Sequence, residues 1–266
     1  TTAMTAVGLL SAQGKAQAIG ENVIPTGGTA IFGDITINQV GTHTDIYQAR
    51  DIGLIDWQSF NHGVNATTEF RQPDASSWTF NRVTGNIDGA RTVIEGSITA
   101  NGNIGILDDN GILVTGTGSI DAAGVLLSTG TISNFDVAGE TGKFEITDMD
   151  DGSIVNRGTI TVAEAGIAAF VAPTVVNHGV IKAKMGKVVM ASGEKVTLDF
   201  YGDNLVEIAV ADALDEGLIV NKGTISAKGG TVVVSAQIAK DVVDNVINMD
   251  GVTTVSSATV KGGKII

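Results

Sequence analysis

The chain has 266 residues, 16 of them Lys or Arg and 29 Asp or Glu, which gives a formal net charge of −13. The acidic balance argues against nucleic acid as a partner, because affinity for phosphate backbones comes mainly from basic residues. Cysteine is absent, which excludes disulfides, thiolate zinc sites and thiol catalysis. A hydrophobic share of 43% is enough for a folded core, and 35 glycines with few aromatics point to strands and turns.

Residues 1–18 contain a short apolar stretch, Ala3 to Ala12, followed by Ala16-Gln17-Ala18. Small residues at the first and third positions of such a tripeptide are typical of a signal-peptide cleavage site. The basic segment that normally precedes the apolar stretch is missing, so an ordinary buried strand or helix start is the alternative. We interpret residues 1–18 as the remnant of an export signal, with the mature chain beginning near Ile19.

Residues 19–95 lack the regular repeat that follows them and hold most of the large aromatic side chains, among them Trp57, Trp78, Phe60 and Phe70. A solenoid needs a cap that covers the end of its apolar column and blocks edge-to-edge pairing. We therefore predict that residues 19–95 form an N-terminal cap and the first coils.

Residues 96–266 contain short motifs that recur at intervals near 22 residues. The interval is 22 from Gly96 to Gly118 and from Gly130 to Gly152, and 44, counted as two coils, from Asn177 to Asn221. Between the motifs lie short alternating segments bounded by Gly and Asn, which are typical of strands and tight turns. Gly every 8 to 12 residues would cost a helix about 1 kcal/mol each, and an antiparallel sandwich would not repeat near-identical turns so regularly. The pattern predicts an all-β parallel β-helix of about seven coils with about 22 residues per coil.

A second motif, an apolar residue followed by Asn-x-Gly, places an asparagine at the same corner of successive coils. Side-chain amides stacked in this way can form a hydrogen-bonded ladder. The predicted corner asparagines are Asn156, Asn177, Asn221 and, in a looser copy, Asn248. The C-terminal residues 260–266 show no evident cap, so a longer solenoid or another molecule, including a second copy stacked end to end, is expected to cover that end.

Several segments resemble the secretion domain of the filamentous-haemagglutinin family. Residues 57–63, WQSFNHG, are similar to the family's WQSFNIG; residues 67–85 are similar to a pattern that ends in LNRVTG; and residues 94–129 are similar to a pattern that contains Asn-Pro-Asn-Gly. Residues 158–208 and 217–251 also look like later coils of such proteins. Together these motifs, in this order, cover most of the chain from about residue 25.

The resemblance implies a right-handed parallel β-helix with an N-terminal β cap. It also implies two-partner secretion, in which the POTRA domains of a dedicated outer-membrane transporter bind the domain in the periplasm before export to the cell surface. The family's turn appears here as Asp108-Asp109-Asn110-Gly111, so the Pro is lost and Asp replaces the first Asn. Carried over residue by residue, the transporter-recognition positions are Asn61, Gly63, Asn81, Arg82, Asp108, Asn110 and Gly111.

Other chemistry is weakly indicated. The three histidines, His43, His62 and His178, have no metal-binding spacing, and the acidic run at residues 148–152 lacks the pattern of known calcium loops. At a 22-residue register, Asp199 stacks on Asn177 and Glu194 on Ala172, so neither forms the paired carboxylates of a glycosidase. We expect no catalytic residue, cofactor or metal.

The leading hypothesis is an exported exoprotein domain that serves surface adhesion or biofilm formation, with an unknown receptor. A subunit that stacks end to end into an extracellular filament is the second, and a polysaccharide-active β-helix enzyme is the third.

Overall fold

The computed structural model describes residues 19–85, 89–133, 143–149, 152–193, 196–199, 217–236, 247–255, 260–261 and 264–265. The predicted export-signal remnant, residues 1–18, lies outside them. The described residues form 28 β-strands in four sheets, three of which run along the length of the molecule. No helix long and apolar enough to cross a membrane is found in the described part of the chain.

Sheet 1 has ten strands, whose central members from β4 to β24 pair in parallel and whose outer members at each end pair antiparallel. In spatial order they are β1 (Thr29–Phe32), β4 (Ile52–Trp57), β6 (Trp78–Val83), β9 (Asn103–Leu107), β12 (Gly124–Ser128), β17 (Ile167–Val171), β20 (Lys187–Ser192), β24 (Thr231–Ala236), β28 (Lys264–Ile265) and β27 (Val260–Lys261).

Sheet 2 has nine strands, all parallel except the first pair. In spatial order they are β2 (Ile35–Val40), β3 (His43–Gln48), β5 (Thr67–Arg71), β8 (Ser97–Ala100), β11 (Ser119–Ala122), β16 (Thr159–Val162), β19 (Val180–Lys182), β23 (Thr224–Ser226) and β26 (Val252–Thr254).

Sheet 3 has six strands, and every pair is parallel. In spatial order they are β7 (Thr92–Ile94), β10 (Ile112–Val114), β15 (Ser153–Asn156), β18 (Thr174–Asn177), β22 (Leu218–Asn221) and β25 (Ile247–Asn248). The chain passes through the three sheets in turn and pairs with itself one coil later, so the predicted parallel β-helix is confirmed.

The interior is filled by columns of one apolar side chain per coil, because alternate residues of each strand point inward. Sheet 2 shows this most simply with a column of isoleucines, each at most 1% exposed, that occupies the middle position of Ser/Thr/Val-Ile-x in five consecutive coils. Its members are Ile98, Ile120, Ile160, Ile181 and Ile225. Burying each of these side chains contributes about 2 to 3 kcal/mol, which is why short strands with small turns suffice for the fold.

The coils are not uniform in length. Ser97 pairs with Ser119 at the interval that the sequence motifs predict, but Ser119 pairs with Thr159 and Val180 pairs with Thr224, and both of these coils are nearly twice as long. The interval from Asn177 to Asn221 that was counted as two coils is therefore one coil with an insertion. The interval from Gly130 to Gly152 is not a coil either, since most of it also belongs to an insertion.

The two insertions meet in a separate antiparallel sheet outside the β-helix. It contains β13 (Thr131–Ile132), β14 (Lys143–Thr147) and β21 (Val196–Asp199), with β14 in the middle. This side sheet packs on the outer face of sheet 1, where Phe144 contacts Phe80 with ring centroids 4.8 Å apart. A second apolar cluster thus forms outside the solenoid column.

Parallel coils begin at β3, well before residue 96. The early aromatic residues accordingly belong to coils: Trp57, Phe60 and Phe70 are at most 1% exposed inside the column, and Trp78 packs under the side sheet. These aromatic side chains therefore lie in the first coils, which the prediction for residues 19–95 included beside the cap. The antiparallel strands β1 and β2 lie at the N-terminal edges of sheets 1 and 2. The domain boundary near residue 95 stays a prediction.

Candidate functional site

Three segments leave the carboxyl end of sheet 1 at the corner between sheets 1 and 3. Residues 58–63 follow β4, residues 82–85 close β6, and residues 108–111 follow β9. They are stacked, because Trp57 pairs with Val83 and Arg82 pairs with Leu107. We call these three segments the motif corner.

Asn81, just inside the motif corner, is completely buried. It stands between Ile55 and Ile106 in a column of the core. Its Oδ1 accepts a hydrogen bond from the indole Nε1 of Trp57 at 3.0 Å, and its Nδ2 donates to the carbonyl oxygen of Gly105 at 3.2 Å. The side chain is therefore a satisfied polar group in an apolar interior, and it joins three coils.

Arg82 points to the outside of the same strand and is 37% exposed. Its Nε and Nη2 donate to the two carboxylate oxygens of Asp56 at 2.7 and 2.9 Å. This two-pronged pair raises the pKa of Arg82. The pair fixes the guanidinium on the surface of the motif corner while leaving part of it open to solvent.

The turn at residues 108–111 is built around a buried carboxylate. Asp108 is 1% exposed, and its Oδ2 accepts from the backbone nitrogen and the hydroxyl of Thr92 at 2.9 and 2.7 Å. Its Oδ1 accepts from the backbone nitrogen of Asn110 at 3.1 Å. Burial raises the pKa of Asp108 to about 6, although these hydrogen bonds act in the opposite direction. Gly111 has a φ of +110°, which a residue with a side chain rarely adopts.

The turn after β4 is held by polar contacts of the same kind. Asn61 Oδ1 accepts from the backbone nitrogen of Val93 at 2.7 Å, and Gly63 is buried against the backbone of residues 20–21. Between them, His62 is completely buried, with Nδ1 3.0 Å from the carbonyl oxygen of Phe60 and Nε2 2.7 Å from the hydroxyl of Thr68. Burial lowers its pKa to about 4, so the imidazole is neutral.

A shallow groove of about 190 Å³ crosses the outer surface of the motif corner. Arg82 and Thr84 line it from one coil, Asp109 from the next, and residues 129–131 from the one after. The groove thus presents a guanidinium and a carboxylate on neighbouring coils, with backbone between them. Of the seven carried-over residues, Arg82, Asn61 and Asn110 are partly open to solvent, whereas Asn81, Asp108, Gly63 and Gly111 are buried.

The predicted corner asparagines lie on sheet 3, away from this groove. Asn156 Nδ2 donates to Asn177 Oδ1 at 2.8 Å, and Asn177 Nδ2 donates to Asn221 Oδ1 at 2.7 Å. Asn248 is one residue out of register, since it pairs with Val220, and its Oδ1 instead accepts from the backbone nitrogen of Asp250. The ladder therefore has three members.

Two acidic residues stack where the 22-residue register did not anticipate a pair. Asp45 and Glu69 are cross-strand neighbours in sheet 2, and possible ligand atoms of His43 lie within 4.8 Å of theirs. Arg71 Nη2 lies 3.2 Å from Asp45 Oδ1 and 3.0 Å from Glu69 Oε2. This guanidinium already supplies the positive charge that a metal would bring. The acidic run at 148–152 includes residues 150 and 151, which lie outside the described residues.

The sequence pattern did not reveal the partners that hold the motif corner together: Asp56 for Arg82, Trp57 for Asn81 and Thr92 for Asp108. The first two pairs span 26 and 24 residues and follow from the pairing of β4 with β6. A register taken from the later coils could not find them. The sequence did contain one indication of these environments. Asn81 and Arg82 are adjacent in a predicted strand, so one side chain points inside and the next points outside.

Comparison with known proteins gives one family. A model of the TPS secretion domain matches residues 21–266. Two curated relatives from Haemophilus influenzae, both named heme/hemopexin-binding protein, are 30% identical over 210 residues and 27% identical over 259 residues. The aligned parts cover 77% and 89% of this chain but only 23% and 27% of the relatives. The chain therefore spans about a quarter of their length.

Two solved structures share the fold. The secretion domain of HMW1 from Haemophilus influenzae is 30% identical, with a TM-score of 0.71 over 80% of this chain and 56% of that one. The secretion domain of filamentous hemagglutinin has a TM-score of 0.51 over 88% of this chain and 99% of that one. At 14% identity the second likeness concerns the fold alone.

Proposed function

The chain belongs to the family of TPS secretion domains, which export their exoproteins through the periplasm to the cell surface with a dedicated outer-membrane transporter, and on this premise we propose that the motif corner is the surface that the transporter binds. The observation that carries the proposal is the position of three sequence motifs in the folded chain. Three motifs that lie in three different coils meet at one corner, and two of them, residues 82–85 and 108–111, contribute residues to one groove.

The partly open residues are the contacts in this proposal. Arg82 and Asp109 offer opposite charges on neighbouring coils, and Asn110 offers an amide beside them. Fixed charges of both signs at a defined spacing favour orientation and specificity of a protein partner. POTRA domains of the transporter are the proposed partner.

The buried residues have a different role. Asn81, Asp108 and the two glycines hold the turns in shape. Substituting one of them would therefore lower transporter binding indirectly, by disturbing the folded turns. They contact a transporter directly only in a chain that has not yet folded. The seven carried-over positions thus divide into a contact group and a shaping group.

The test exploits the ion pair between Arg82 and Asp56. Arg82→Gln and Asp56→Asn each remove one charge of this ion pair and are each expected to cost about 1 kcal/mol or less of stability. Only Arg82→Gln removes the proposed contact. We expect it to lower export about tenfold, with Asp56→Asn within about twofold of the wild type.

Export is measured by co-expressing the exoprotein with its transporter and quantifying the secreted fraction. Binding of the purified domain to a soluble POTRA fragment gives a second readout. Equal losses for the two variants, or no loss for Arg82→Gln, would show that the groove is not the contact surface.

For the exported protein as a whole we propose a role in surface adhesion or biofilm formation, supported by membership of this exoprotein family. Binding of cells that display the exoprotein to host-cell or abiotic surfaces, compared with a transporter-deficient strain, tests this role. Equal binding by the two strains would contradict it.

One observation supports the filament alternative, and one argues against it. The outer edge of sheet 2 in the described residues is β26, where Val252 is 61% exposed, and such an edge can pair with another chain. In sheet 1, however, the antiparallel pair β27 and β28 covers the edge of β24. Electron microscopy of the purified protein separates single short rods from long filaments.

A polysaccharide-active enzyme stays the third candidate. The stacked Asp45 and Glu69 are the relevant carboxylates, yet both lie against Arg71. Product release in a glycan-degradation screen, lost in Glu69→Gln, would favour this candidate over the non-enzymatic one.

A further inference from the structure

A group of polar side chains on the outer face of sheet 2 joins β3 to β5. His43 and Asp45 lie two residues apart on β3 and therefore share one face of the strand. The cross-strand neighbour of Asp45 is Glu69 on β5, and that of His43 is Thr67. One nitrogen or oxygen atom from each of His43, Asp45 and Glu69 lies within 4.8 Å of those from the other two. We call these three residues the β3–β5 cluster.

The spacing within the β3–β5 cluster suits a small metal ion. Ligand atoms placed tetrahedrally at about 2.1 Å from a zinc ion are about 3.4 Å from one another. His43 Nε2 and Asp45 Oδ1 are 3.3 Å apart, which is already this separation. The side chain of Glu69 is 42% exposed, so its flexible carboxylate can move to close the remaining distance.

Two features beyond the spacing also point to a metal ligand. Asp45 Oδ1 is hidden from solvent, yet within the described part of the chain it accepts no hydrogen bond, which is unusual for a buried polar atom. On the other side, His43 Nδ1 is hydrogen-bonded to the hydroxyl of Thr67, which holds the ring with Nε2 near Asp45. Metal-ligating imidazoles are oriented by a contact of this kind on their second ring nitrogen.

Arg71 has to leave the β3–β5 cluster for a metal to enter it. Its Nη2 lies 3.2 Å from Asp45 Oδ1, as an ion pair without a hydrogen bond, and 3.0 Å from Glu69 Oε2. The guanidinium is 47% exposed, and its Cζ lies 5.1 Å from the centroid of the Tyr47 ring. Arg71 can therefore keep its cation–π contact after the exchange, and exposed ion pairs of this kind contribute little to stability.

The charge around the β3–β5 cluster favours this exchange. The column of outward-facing residues that contains Asp45 and Glu69 continues through Thr99 to Asp121. The carboxylates of Asp45, Glu69 and Asp121 outnumber the single guanidinium of Arg71, so this part of the surface is negative. A divalent ion balances more of that charge than Arg71 does.

We propose that the β3–β5 cluster binds a zinc ion through His43 Nε2 and the carboxylates of Asp45 and Glu69, in exchange for Arg71. Three protein ligands with a fourth position left to water are an arrangement that zinc adopts in proteins. The imidazole ligand argues against calcium and magnesium, which take six or more oxygen ligands. The bound ion links β3 to β5, the first parallel pair of sheet 2, and so stabilises the N-terminal coils. This face is separate from the motif corner, and the site does not depend on the transporter proposal.

The test is isothermal titration calorimetry of the purified, untagged chain with zinc chloride, in buffer freed of other metals. Arg71→Gln removes the competing guanidinium, and we expect it to bind zinc about tenfold more tightly than the wild type. The matched control is Arg50→Gln, which loses the same charge from an exposed ion pair with Asp34. Its affinity for zinc should stay within about twofold of the wild type.

Removal of a ligand should have the opposite effect. We expect His43→Gln and Glu69→Gln each to bind zinc at least about tenfold more weakly. His178→Gln removes an exposed imidazole from a later coil and should match the wild type within about twofold. Thermal melting in the presence of a chelator checks that every variant folds, and added zinc should raise the Tm of the wild type but not that of His43→Gln.

Three results would each overturn the zinc site. They are no zinc binding by the wild type, binding that is unchanged in His43→Gln, and equal gains in affinity for Arg71→Gln and Arg50→Gln. Calcium chloride binding as tightly as zinc chloride would also overturn it, because that result would indicate a site made of carboxylates alone.

Discussion

The coils before residue 115 and the coils after residue 151 have the same backbone plan but are held together differently. The earlier coils use contacts that occur once, such as the indole of Trp57 on Asn81, the guanidinium of Arg82 on Asp56 and the imidazole of His62 on Thr68. The later coils use contacts that repeat, namely the asparagine ladder and a column of stacked glycines.

The difference separates two ways of fixing register in a parallel solenoid. A repeated contact fixes the distance between rungs but is the same at every rung. A contact that occurs once identifies a particular rung, so it both sets the register and gives that part of the surface a shape of its own. The motif corner lies among the unique contacts.

The largest expected effect comes from the glycine column of the later coils. A Cβ on Gly179 would overlap the carbonyl oxygen of Gly158 and come within 2.7 Å of the carbonyl carbon of Arg157. Because these are backbone atoms of the rung beneath, Gly179→Ala is expected to lower the free energy of unfolding by about 3 kcal/mol. The control is Gly116→Ala, where nothing lies within 4 Å, and its effect should stay under about 0.5 kcal/mol. Urea denaturation measures both, and equal losses would show that the glycine stack does not fix the rung spacing.

The next effect concerns the pH dependence of stability in the earlier coils. These coils contain two buried titratable groups that change the free energy of unfolding in opposite directions as the pH falls. The pKa of His62 falls from 6.5 to about 4 on folding, so its contribution to stability is lost as pH falls through this interval. The pKa of Asp108 rises from 3.8 to about 6, so its contribution increases as pH falls from about 6 to 3.8. Each group is worth up to about 3 kcal/mol over its interval, and in the wild type the two largely cancel.

Single variants should separate these contributions. Between pH 6.5 and 4, Asp108→Asn is expected to lose more stability than the wild type, and His62→Ile is expected to lose less. Urea denaturation followed by tryptophan fluorescence reports on this region, because Trp57 and Trp78 both lie in the earlier coils. Parallel pH profiles for the two variants would mean that these groups are not the source of the dependence.

The smallest effect tests the asparagine ladder. Asn177 makes ladder hydrogen bonds to the coil before and the coil after it, and Asn177→Ala is expected to cost about 1 to 2 kcal/mol. Asn248 is out of register with the ladder, so Asn248→Ala should cost under about 0.5 kcal/mol. If the same denaturation gave Asn177→Ala a loss no larger than that of Asn248→Ala, a stabilising role for the ladder would be contradicted.

The fold class was predictable because its cause is local. Alternating segments such as Thr159-Ile160-Thr161, closed by Gly, carry the strand period and the turn in a few residues, and their recurrence indicates stacking. The coil count was not predictable, because the spacing of a motif does not distinguish two short coils from one long coil. Asn177 to Asn221 is such a case: the intervening residues include β21, which leaves the solenoid to pair with β14.

The site was predictable in its location but not in the environment of each side chain. The resemblance placed Asn81 and Arg82 together, yet one is fully buried and the other partly open. The burial of the His62 imidazole was not predictable, because its partner, Thr68, is recognisable only once the turn after β4 is closed. Contacts between coils depend on the length of the coil between them, and in the earlier coils that length has no repeat to reveal it.

The side sheet has a consequence for the order in which this chain can fold. Coils can be added one at a time from the N-terminus, since each needs only the one before it. The middle strand of the side sheet, β14, is different, because its partner β21 follows only after the strands β15 to β20. Until β21 is available, the apolar ring of Phe144 and the outer face of sheet 1 cannot be fully covered. A chain delivered progressively from its N-terminus would therefore complete the strands β15 to β20 first and the side sheet last, because the pairing of β14 with β21 spans more sequence than the pairing of adjacent coils.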